Sequence, residues 1–330
     1  MIKVFVNRDV VEGPWGGGNH FLKAFNTFSG DFGIEITDTA LNCDAVLVMG
    51  HSRDSRCFGF RDAVELSVKT HGRVKIISRI NENDARKGTT GVDQQMREMC
   101  INSSGTIFVS NWLKDYMYNA WITQLIIEGQ SLLMKLLKLK HDSSVVVHNG
   151  VDKEVFRRRL NLRIYDCHRL RIVAHHWSDN FKKGADFYSF LDEYCDTHHE
   201  YLFHYIGRPP VEFKGRNTRL TPPKSGNELG EALSSDEAEN VYISASRHDP
   251  GPNHVTEALA TGLETYVHVD GGGCVEFAGT DHTFSTTDDL LKILERKMIG
   301  VNRPNSFVPT DWRDCIEKYC SYIEQVVTSS

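Results

Sequence analysis

Short runs of apolar and β-branched residues recur along the first half of the chain, and segments long enough for helices separate most of them. This alternation is typical of parallel strands joined by helical crossovers, with helices on both faces of the sheet. The pattern therefore predicts an α/β fold. The predicted strands of this half are 2–7, 44–50, 74–78, 106–110 and 144–150.

The same rhythm restarts after a basic stretch at 152–171. A restart of this kind predicts a second α/β domain, with a boundary near residues 155–170. The predicted strands of the second half are 171–176, 201–207, 240–246 and 265–270.

Two segments carry helical patterns that bear on the architecture. At the C-terminus, apolar residues at alternating spacings of four and three predict an amphipathic helix that Thr310 caps. The segment 121–140 predicts a helix in which Lys135, Lys138 and Lys140 alternate with leucines. We expect this helix to pack on the sheet, and weak peripheral contact with a membrane is the alternative.

Composition excludes several classes of protein. The 330 residues are 40% hydrophobic and 25% charged, as in soluble globular proteins with two cores. A formal net charge of −6 gives no general attraction to nucleic acid or to anionic membrane, so any phosphate site must be local. The eight cysteines form no C-x-x-C pair, and no apolar run is long enough to span a bilayer. With no secretory signal at the start, we expect reduced thiols and a cytoplasmic protein.

Two turns offer places for a phosphate group. Gly16, Gly17 and Gly18 lie between the first strand and a helix, where main-chain N–H groups can approach a diphosphate. An ordinary turn is equally compatible with them. In the second half, Lys183 precedes Gly184 and an apolar helix, and it can offer a compact positive charge unless it is simply solvated.

The stretch SRHDPGPNHVTEALATG at 246–262 predicts a tight loop followed by a helix that ends at Gly262. Asp249 would lie at the strand–helix turn, Asn253 and His254 at the start of the helix, and Glu257 about one turn into it. Carboxylates suit sugar recognition because each can accept two hydroxyl hydrogen bonds. The alternative makes Asp249 a helix-capping acid and Glu257 a surface residue.

This stretch resembles the signature of retaining glycosyltransferases of family 4, in which two acids are separated by seven residues and the second acid opens a run similar to EALACGLPV. Asp249 and Glu257 stand at the two acidic positions, and EALATGLE follows. Five further segments agree in order with the family: GGG in the first strand–helix turn, FVSNWLKDYM, VVVHNGVDKEVF, KKG and DGGGCVEFAG. The resemblance covers essentially the whole chain.

The resemblance implies a GT-B fold, in which two Rossmann-like domains with parallel sheets face each other across a deep cleft. The acceptor domain would span 1–165 and the donor domain 166–309, and a C-terminal helix at 310–330 would pack back on the first domain. It also implies metal-independent, configuration-retaining transfer of a hexose from a nucleotide sugar to a glycan or lipid-linked acceptor. No cofactor and no nucleic acid partner is expected.

The resemblance assigns roles to individual residues. Glu257 would bind the ribose, Asp249 the sugar, and Lys183 the departing diphosphate. The resemblance gives GDP-mannose as the first candidate for the donor and UDP-glucose as the second. The acceptor side would include Arg79, Asn81 and Asp84. The expected donor-binding residues are Gly16, Gly17, Gly18, Lys183, Asp249, Asn253, His254 and Glu257.

The chain departs from the family pattern at three points. Asp249 stands where the family has a glutamate, and Pro252 replaces part of a flexible glycine run. The arginine that the family usually has in a turn of the second domain has no match in AHHWSDN. Two other functions therefore stay open: a nucleotide-sugar epimerase of the same fold, or an inactive subunit that binds a nucleotide sugar.

Overall fold

The computed structural model describes residues 1–12, 16–157, 169–234 and 239–329. These residues form two compact units. The first comprises Met1–Gly150 with Trp312–Ser330, and the second comprises Val151–Asp311.

The first unit is built on a six-stranded parallel sheet in the order β2-β1-β3-β4-β5-β6. The predicted strands of the first half are confirmed, although the structure adds β2, which is short and half polar. The strands are β1 (Ile2–Val6), β2 (Ile34–Thr37), β3 (Ala45–Val48), β4 (Lys75–Ile80), β5 (Gly105–Phe108) and β6 (Val145–Val146). The helices are α1 (Gly17–Phe28), α2 (Phe60–Lys69), α3 (Asp84–Lys87), α4 (Val92–Asn102), α5 (Asn111–Ile127) and α6 (Ser131–Ser143).

The second unit repeats the arrangement with the strand order β12-β11-β10-β7-β8-β9, again parallel. Its first strand, β7, lies between β8 and β10, which is the order of doubly wound dinucleotide-binding folds. The strands are β7 (Leu170–His176), β8 (Tyr201–Gly207), β9 (Arg219–Thr221), β10 (Glu239–Ser244), β11 (Glu264–His268) and β12 (Thr283–Phe284). The helices are α7 (Ala185–Thr197), α8 (Gly226–Leu233), α9 (Asn253–Ala260), α10 (Gly273–Ala278) and α11 (Thr287–Met298).

The predicted C-terminal helix is present as α12 (Trp312–Thr328) and belongs to the first unit. Ile316, Tyr319 and Ile323 are fully buried in one hydrophobic cluster with Phe21 and Phe25 of α1. The apolar stripe that the sequence shows is therefore the face that covers the sheet beside α1.

The division between the units falls at Gly150, before the range 155–170 that the sequence predicts. Val151 already belongs to the second unit, because its N–H donates to the carbonyl of Thr310 at 2.9 Å and it bridges Asp311. The two ends of the second unit thus lie side by side. Residues 158–168 of the predicted boundary lie outside the described residues.

The prediction of a single helix over 121–140 is wrong. The segment is divided between α5 and α6, and Gly129, with φ of 67°, lies at the break. A residue in the left-handed region cannot continue a right-handed helix, and glycine adopts that region without strain. No helix among the described residues is both long and apolar enough to cross a bilayer.

Gly184 is required where α7 begins against β10. It has φ of 98°, and a Cβ there would lie 2.3 Å from the Cβ of Ala245. We expect Gly184→Ala to lower the free energy of unfolding of the second unit by about 2–5 kcal/mol, from backbone strain and overpacking together. Gly300→Ala is the matched control, because Gly300 also has a positive φ, 77°, and no atom within 4 Å of an added Cβ. Urea denaturation that gave equal losses for both variants would contradict the steric argument.

Candidate functional site

The carboxyl ends of β7 and β10 are adjacent, because the strands that follow β7 in the chain turn to opposite sides of it. In open α/β sheets, ligands bind at this switch point. The buried polar side chains that follow the two strands are called here the switch-point cluster. Its members are His175, His176, Lys183, Asp249, His254 and Glu257.

Lys183 and Asp249 are in direct contact within the switch-point cluster. The Lys183 Nζ lies 2.5 Å from Asp249 Oδ2 and donates to Ser246 Oγ at 3.2 Å. Both side chains are more than nine-tenths buried. Lys183 is therefore not a solvated lysine, and the two predicted residues form a buried ion pair.

The loop that carries Asp249 is held by main-chain contacts to the loop after β11. The main-chain N–H of Asp249 donates to the Gly271 carbonyl at 3.2 Å, and the Gly273 N–H donates to the Asp249 carbonyl at 2.8 Å. Gly272, with φ of 67°, allows this approach, because a Cβ there would lie 2.9 Å from the Asp249 carbonyl oxygen. The preceding residue, His248, has φ of 55°, a strained conformation for a residue with a side chain. The DGGGC segment of the sequence thus fixes the position of Asp249.

Asp249 does not cap the following helix, since α9 has Pro252 at its N-cap and no side-chain cap. Glu257 is not a surface residue either, because it is 7% exposed. Its Oε2 lies 2.8 Å from His175 Nε2. The two acids of the sequence signature therefore each contact a separate basic group, Lys183 and His175.

Two further histidines of the switch-point cluster are held neutral. Burial lowers the pKa of His176 and of His254 well below the usual range, and neighbouring positive charges add to the effect. His176 Nε2 lies 2.7 Å from the Tyr188 hydroxyl. His254 Nε2 lies 2.8 Å from the Ser244 hydroxyl, and the two imidazole rings pack edge to face 4.5 Å apart.

Two buried nitrogens of the cluster have no hydrogen-bond partner in the described part of the chain, namely Nδ1 of His175 and Nδ1 of His176. A buried polar atom without a partner costs about 1–3 kcal/mol. A hydroxyl-rich ligand could satisfy such atoms, so their presence is consistent with a binding site.

The donor atoms of Asp249, His254 and Cys274 all lie within 4.8 Å of one another, which is a spacing that could hold a metal ion. The chemistry of the set fits a metal poorly. Asp249 is engaged by Lys183 and His254 by Ser244, and burial raises the pKa of the Cys274 thiol well above its usual range. A protonated thiol is a weak ligand.

Sequence reasoning missed Arg208, at the end of β8. Its guanidinium stacks on the Trp177 ring at 4.1 Å, and the main-chain N–H of Arg208 donates to the His176 carbonyl at 3.0 Å. Among the described residues the guanidinium makes no hydrogen bond or ion pair. Because β7 and β8 are neighbours, this cation lies at the same edge of the sheet as the switch-point cluster. No local motif marks it, since the contact joins residues of two strands.

In the first unit, Arg79 lies near the carboxyl end of β4, and Asn81 follows that strand close to the start of α1. Arg79 is 1% exposed, stacks on Phe21 at 4.6 Å, and donates to the Tyr319 hydroxyl at 3.0 Å. Its Nη1 has no partner, and no carboxylate among the described residues pairs with it. An added Cβ at Gly18 would lie 3.8 Å from Asn81 Nδ2, so this group includes one of the predicted glycines.

Asp84 is not part of that group. Its carboxylate accepts from the main-chain N–H groups of Gly91, Val92 and Asp93 and from the Thr89 hydroxyl. Burial raises the pKa of Asp84, but these hydrogen bonds outweigh it and the net shift is downward. Asp84 therefore stabilises the start of α4 by accepting hydrogen bonds from its first main-chain N–H groups.

Removal of either partner of the Lys183–Asp249 pair should destabilise the second unit by about 3–5 kcal/mol, because the remaining charge is buried without compensation. Urea denaturation should give a smaller loss for Lys183→Met with Asp249→Asn than the sum of the single losses. The matched control is the more exposed pair of Arg247 with Asp186, also 2.5 Å apart, where Asp186→Asn should cost less than about 1 kcal/mol. Strictly additive losses at Lys183 and Asp249 would contradict the coupling.

The second unit should become less stable as the pH decreases below about 6.5, the ordinary pKa of histidine. Burial lowers the pKa of several histidines in this unit, and that of His204 to about 3. Below pH 6.5 the unfolded chain binds protons that the folded chain does not, so each such histidine removes up to about 1.4 kcal/mol per pH unit. The others are His176, His248, His254 and His268.

Urea denaturation between about pH 7.5 and 5.5 would measure this slope. His204→Gln should flatten it, because a glutamine amide can replace the contacts to Arg171 and Thr221 without titrating. An unchanged slope in that variant would contradict the assignment.

Comparisons with known proteins find likeness only in structure. No protein-family profile matches the sequence, and no curated protein sequence matches it. Sucrose-phosphate synthase from Thermosynechococcus elongatus superposes with a TM-score of 0.63 at 10% identity, over 100% of each chain. HepE from Anabaena, in complex with UDP and glucose, superposes with a TM-score of 0.60 at 10% identity, also over 100% of each chain.

A third similar structure is AviGT4, a glycosyltransferase involved in avilamycin A biosynthesis, with a TM-score of 0.60 at 13% identity over 100% of this chain and 99% of that chain. Identities this low show the fold alone. The chain therefore has the fold of these proteins, with two Rossmann-like α/β units of the GT-B class.

Proposed function

We propose that the chain is a glycosyltransferase that moves a hexose from a nucleotide sugar to a hydroxyl group of an acceptor. The observation that carries the proposal is the buried contact of Lys183 with Asp249 at the switch point of the second unit. Glycosyltransferases of the same fold support it, although at low identity.

The ion pair suits the bond that such an enzyme breaks. The glycosidic oxygen of a nucleotide sugar joins the anomeric carbon to the diphosphate. A cation and a carboxylate in contact can therefore bind the groups on the two sides of this bond. Lys183 would contact the diphosphate, and Asp249 would accept a hydrogen bond from a sugar hydroxyl. Departure of the diphosphate creates most of the charge in the transition state, so a preorganised cation there stabilises it.

The neighbouring residues have matching tasks. The neutral imidazole of His254 can exchange hydrogen bonds with sugar hydroxyls without attracting the diphosphate away from Lys183. Asn253, at the start of α9, would contact the sugar beside it. Glu257, held by His175, would accept hydrogen bonds from the ribose hydroxyls.

Arg208 is proposed as a second cation for the diphosphate. Family 4 enzymes use an arginine in the turn where this chain has AHHWSDN. Stacking on Trp177 orients the Arg208 guanidinium while leaving its N–H groups available. The missing arginine is thus replaced from the next strand of the sheet.

We further propose that transfer retains the configuration at the anomeric carbon and needs no metal. The leaving phosphate would take the proton of the acceptor hydroxyl, so no protein base is required. In the first unit, Gly16, Gly17 and Gly18 at the start of α1 would offer N–H groups to the diphosphate. Arg79 and Asn81 would face the acceptor, a glycan or a lipid-linked sugar, and Asp84 is omitted because its carboxylate is already engaged.

The donor is the finer part of the proposal. The sequence favours GDP-mannose by family resemblance, while HepE, which shares the fold, is known in complex with UDP-glucose. Both donors therefore belong in the first screen.

The decisive experiment measures nucleotide release from UDP-glucose and GDP-mannose, with isothermal titration of UDP and GDP for affinity. Slow release without acceptor is expected from one donor, and Lys183→Met should reduce it by about 100-fold or more. Arg208→Met should reduce it by about ten-fold, as loss of one charge-assisted contact does. Lys292→Met, on exposed α11 surface, is the matched control and should leave the rate unchanged.

Other outcomes would replace the proposal. Appearance of a new epimer of the donor by NMR would show an epimerase. Tight nucleotide binding without release from any donor would show an inactive binding subunit. Absence of both binding and release would overturn the glycosyltransferase assignment altogether.

A further inference from the structure

The first unit carries an apolar stripe on the solvent side of α6. Leu132, Leu136 and Leu139 are 81%, 37% and 65% exposed. Their spacing of four and three residues places them on one face of the helix. At the end of α5, Ile126 and Ile127 add further exposed apolar surface at 61% and 81%. These five residues are called here the α6 surface.

The exposed leucines are not needed for the core. The opposite side of α6 supplies Leu137, which is fully buried, and Leu133 and Met134, which pack against the same cluster beneath the sheet. Within the described part of the chain, the helix therefore has two apolar faces, and only the face with Leu137 packs against other residues. An apolar patch that a fold leaves uncovered indicates an interaction surface.

The charged residues around the exposed leucines indicate what kind of partner the α6 surface binds. Lys135 and Lys138 are exposed beside the leucines, while the Lys140 ammonium turns inward to the Ser103 carbonyl at 2.5 Å. Asp142 is the one acid of α6, and Glu128 precedes the helix by three residues. The surface is locally basic although the whole chain has a net charge of −6.

We propose that the α6 surface docks on an anionic membrane, with the leucines among the acyl chains and the two lysines at the headgroups. Interfacial helices combine an apolar face with lysines at its border in this way. The negative charge of the rest of the chain would keep other faces away from the lipid, so docking selects one orientation. The proposal does not depend on the proposed catalytic function.

A second copy of the chain is the competing occupant. In a two-fold dimer through this stripe, the lysines of one copy would approach those of the other, because such an interface pairs a surface with itself. Like charges in contact disfavour that pairing, whereas phosphate headgroups neutralise them. The charge pattern therefore favours lipid over self-association.

Vesicle flotation tests the proposal. The full chain should bind vesicles of phosphatidylserine with phosphatidylcholine at low salt, and bind phosphatidylcholine vesicles weakly. Lys135→Gln with Lys138→Gln should weaken binding by about five-fold per lysine. Leu132→Ser with Leu136→Ser and Leu139→Ser should weaken it by about 100-fold or more, and salt should not restore it.

The matched control is Leu41→Ser with Val68→Ser, two apolar residues of the same unit that are 74% and 70% exposed. It should bind as the wild type does. Circular dichroism and thermal melting should show all variants folded, since every altered side chain is at least partly exposed.

Three results would overturn the proposal: no binding to anionic vesicles at low salt, equal binding by wild type and the leucine variant, or a dimer in solution that the leucine variant abolishes. Release of nucleotide from a soluble donor should be the same in all variants. Failure of membrane docking is therefore distinguishable from failure of the proposed catalytic function.

Discussion

The candidate site depends on one buried ion pair, that of Lys183 with Asp249. Neither charge would be stable alone in this environment, since removing a charged group from water costs several kcal/mol unless a partner compensates. The pair exists because the sheet places the ends of β7 and β10 side by side. The same contact that permits burial of the two charges also fixes their positions for the diphosphate and sugar contacts that we propose for them.

The histidines around the pair are consistent with this constraint. A protonated imidazole next to Lys183 would repel it and would compete for Asp249. Burial keeps His176 and His254 neutral, with Tyr188 and Ser244 as their hydrogen-bond partners. These two histidines therefore add no positive charge beside Lys183, while they keep hydrogen-bonding capacity in the site.

Much of the architecture could be predicted from periodicity alone, because both sheets are buried and their longer strands are continuous apolar runs. The short edge strands β2, β9 and β12 lack such runs, so the sequence pattern does not mark them. The break between α5 and α6 is hidden in the apolar pattern because leucines resume at Leu132 with helical spacing, although Gly129 and its polar neighbours mark the interruption.

The candidate site divides in the same way. Asp249, Glu257 and Lys183 could be located from local sequence, because each stands at a strand–helix turn or in the first turns of a helix. Their partners could not. The contact of Glu257 with His175 joins α9 to β7, and that of Arg208 with Trp177 joins the residues that follow β8 and β7, so these pairs meet only when the unit folds. The position of Asp84 was equally visible, but its hydrogen bonds to main-chain N–H groups depend on a loop geometry that composition does not specify.

The shorter acid at position 249 is explained by the same geometry. An aspartate reaches one methylene less far than the glutamate of the family pattern, so its backbone must come closer to the partner. The contact of the Asp249 main chain with Gly271 and Gly273 supplies that approach, and Gly272 makes it sterically possible. Strain at His248 accompanies this tight course of the loop. The shortened side chain and the glycine run of the neighbouring loop are thus two parts of one arrangement, and a longer acid at 249 would need a different loop to reach the same ammonium group.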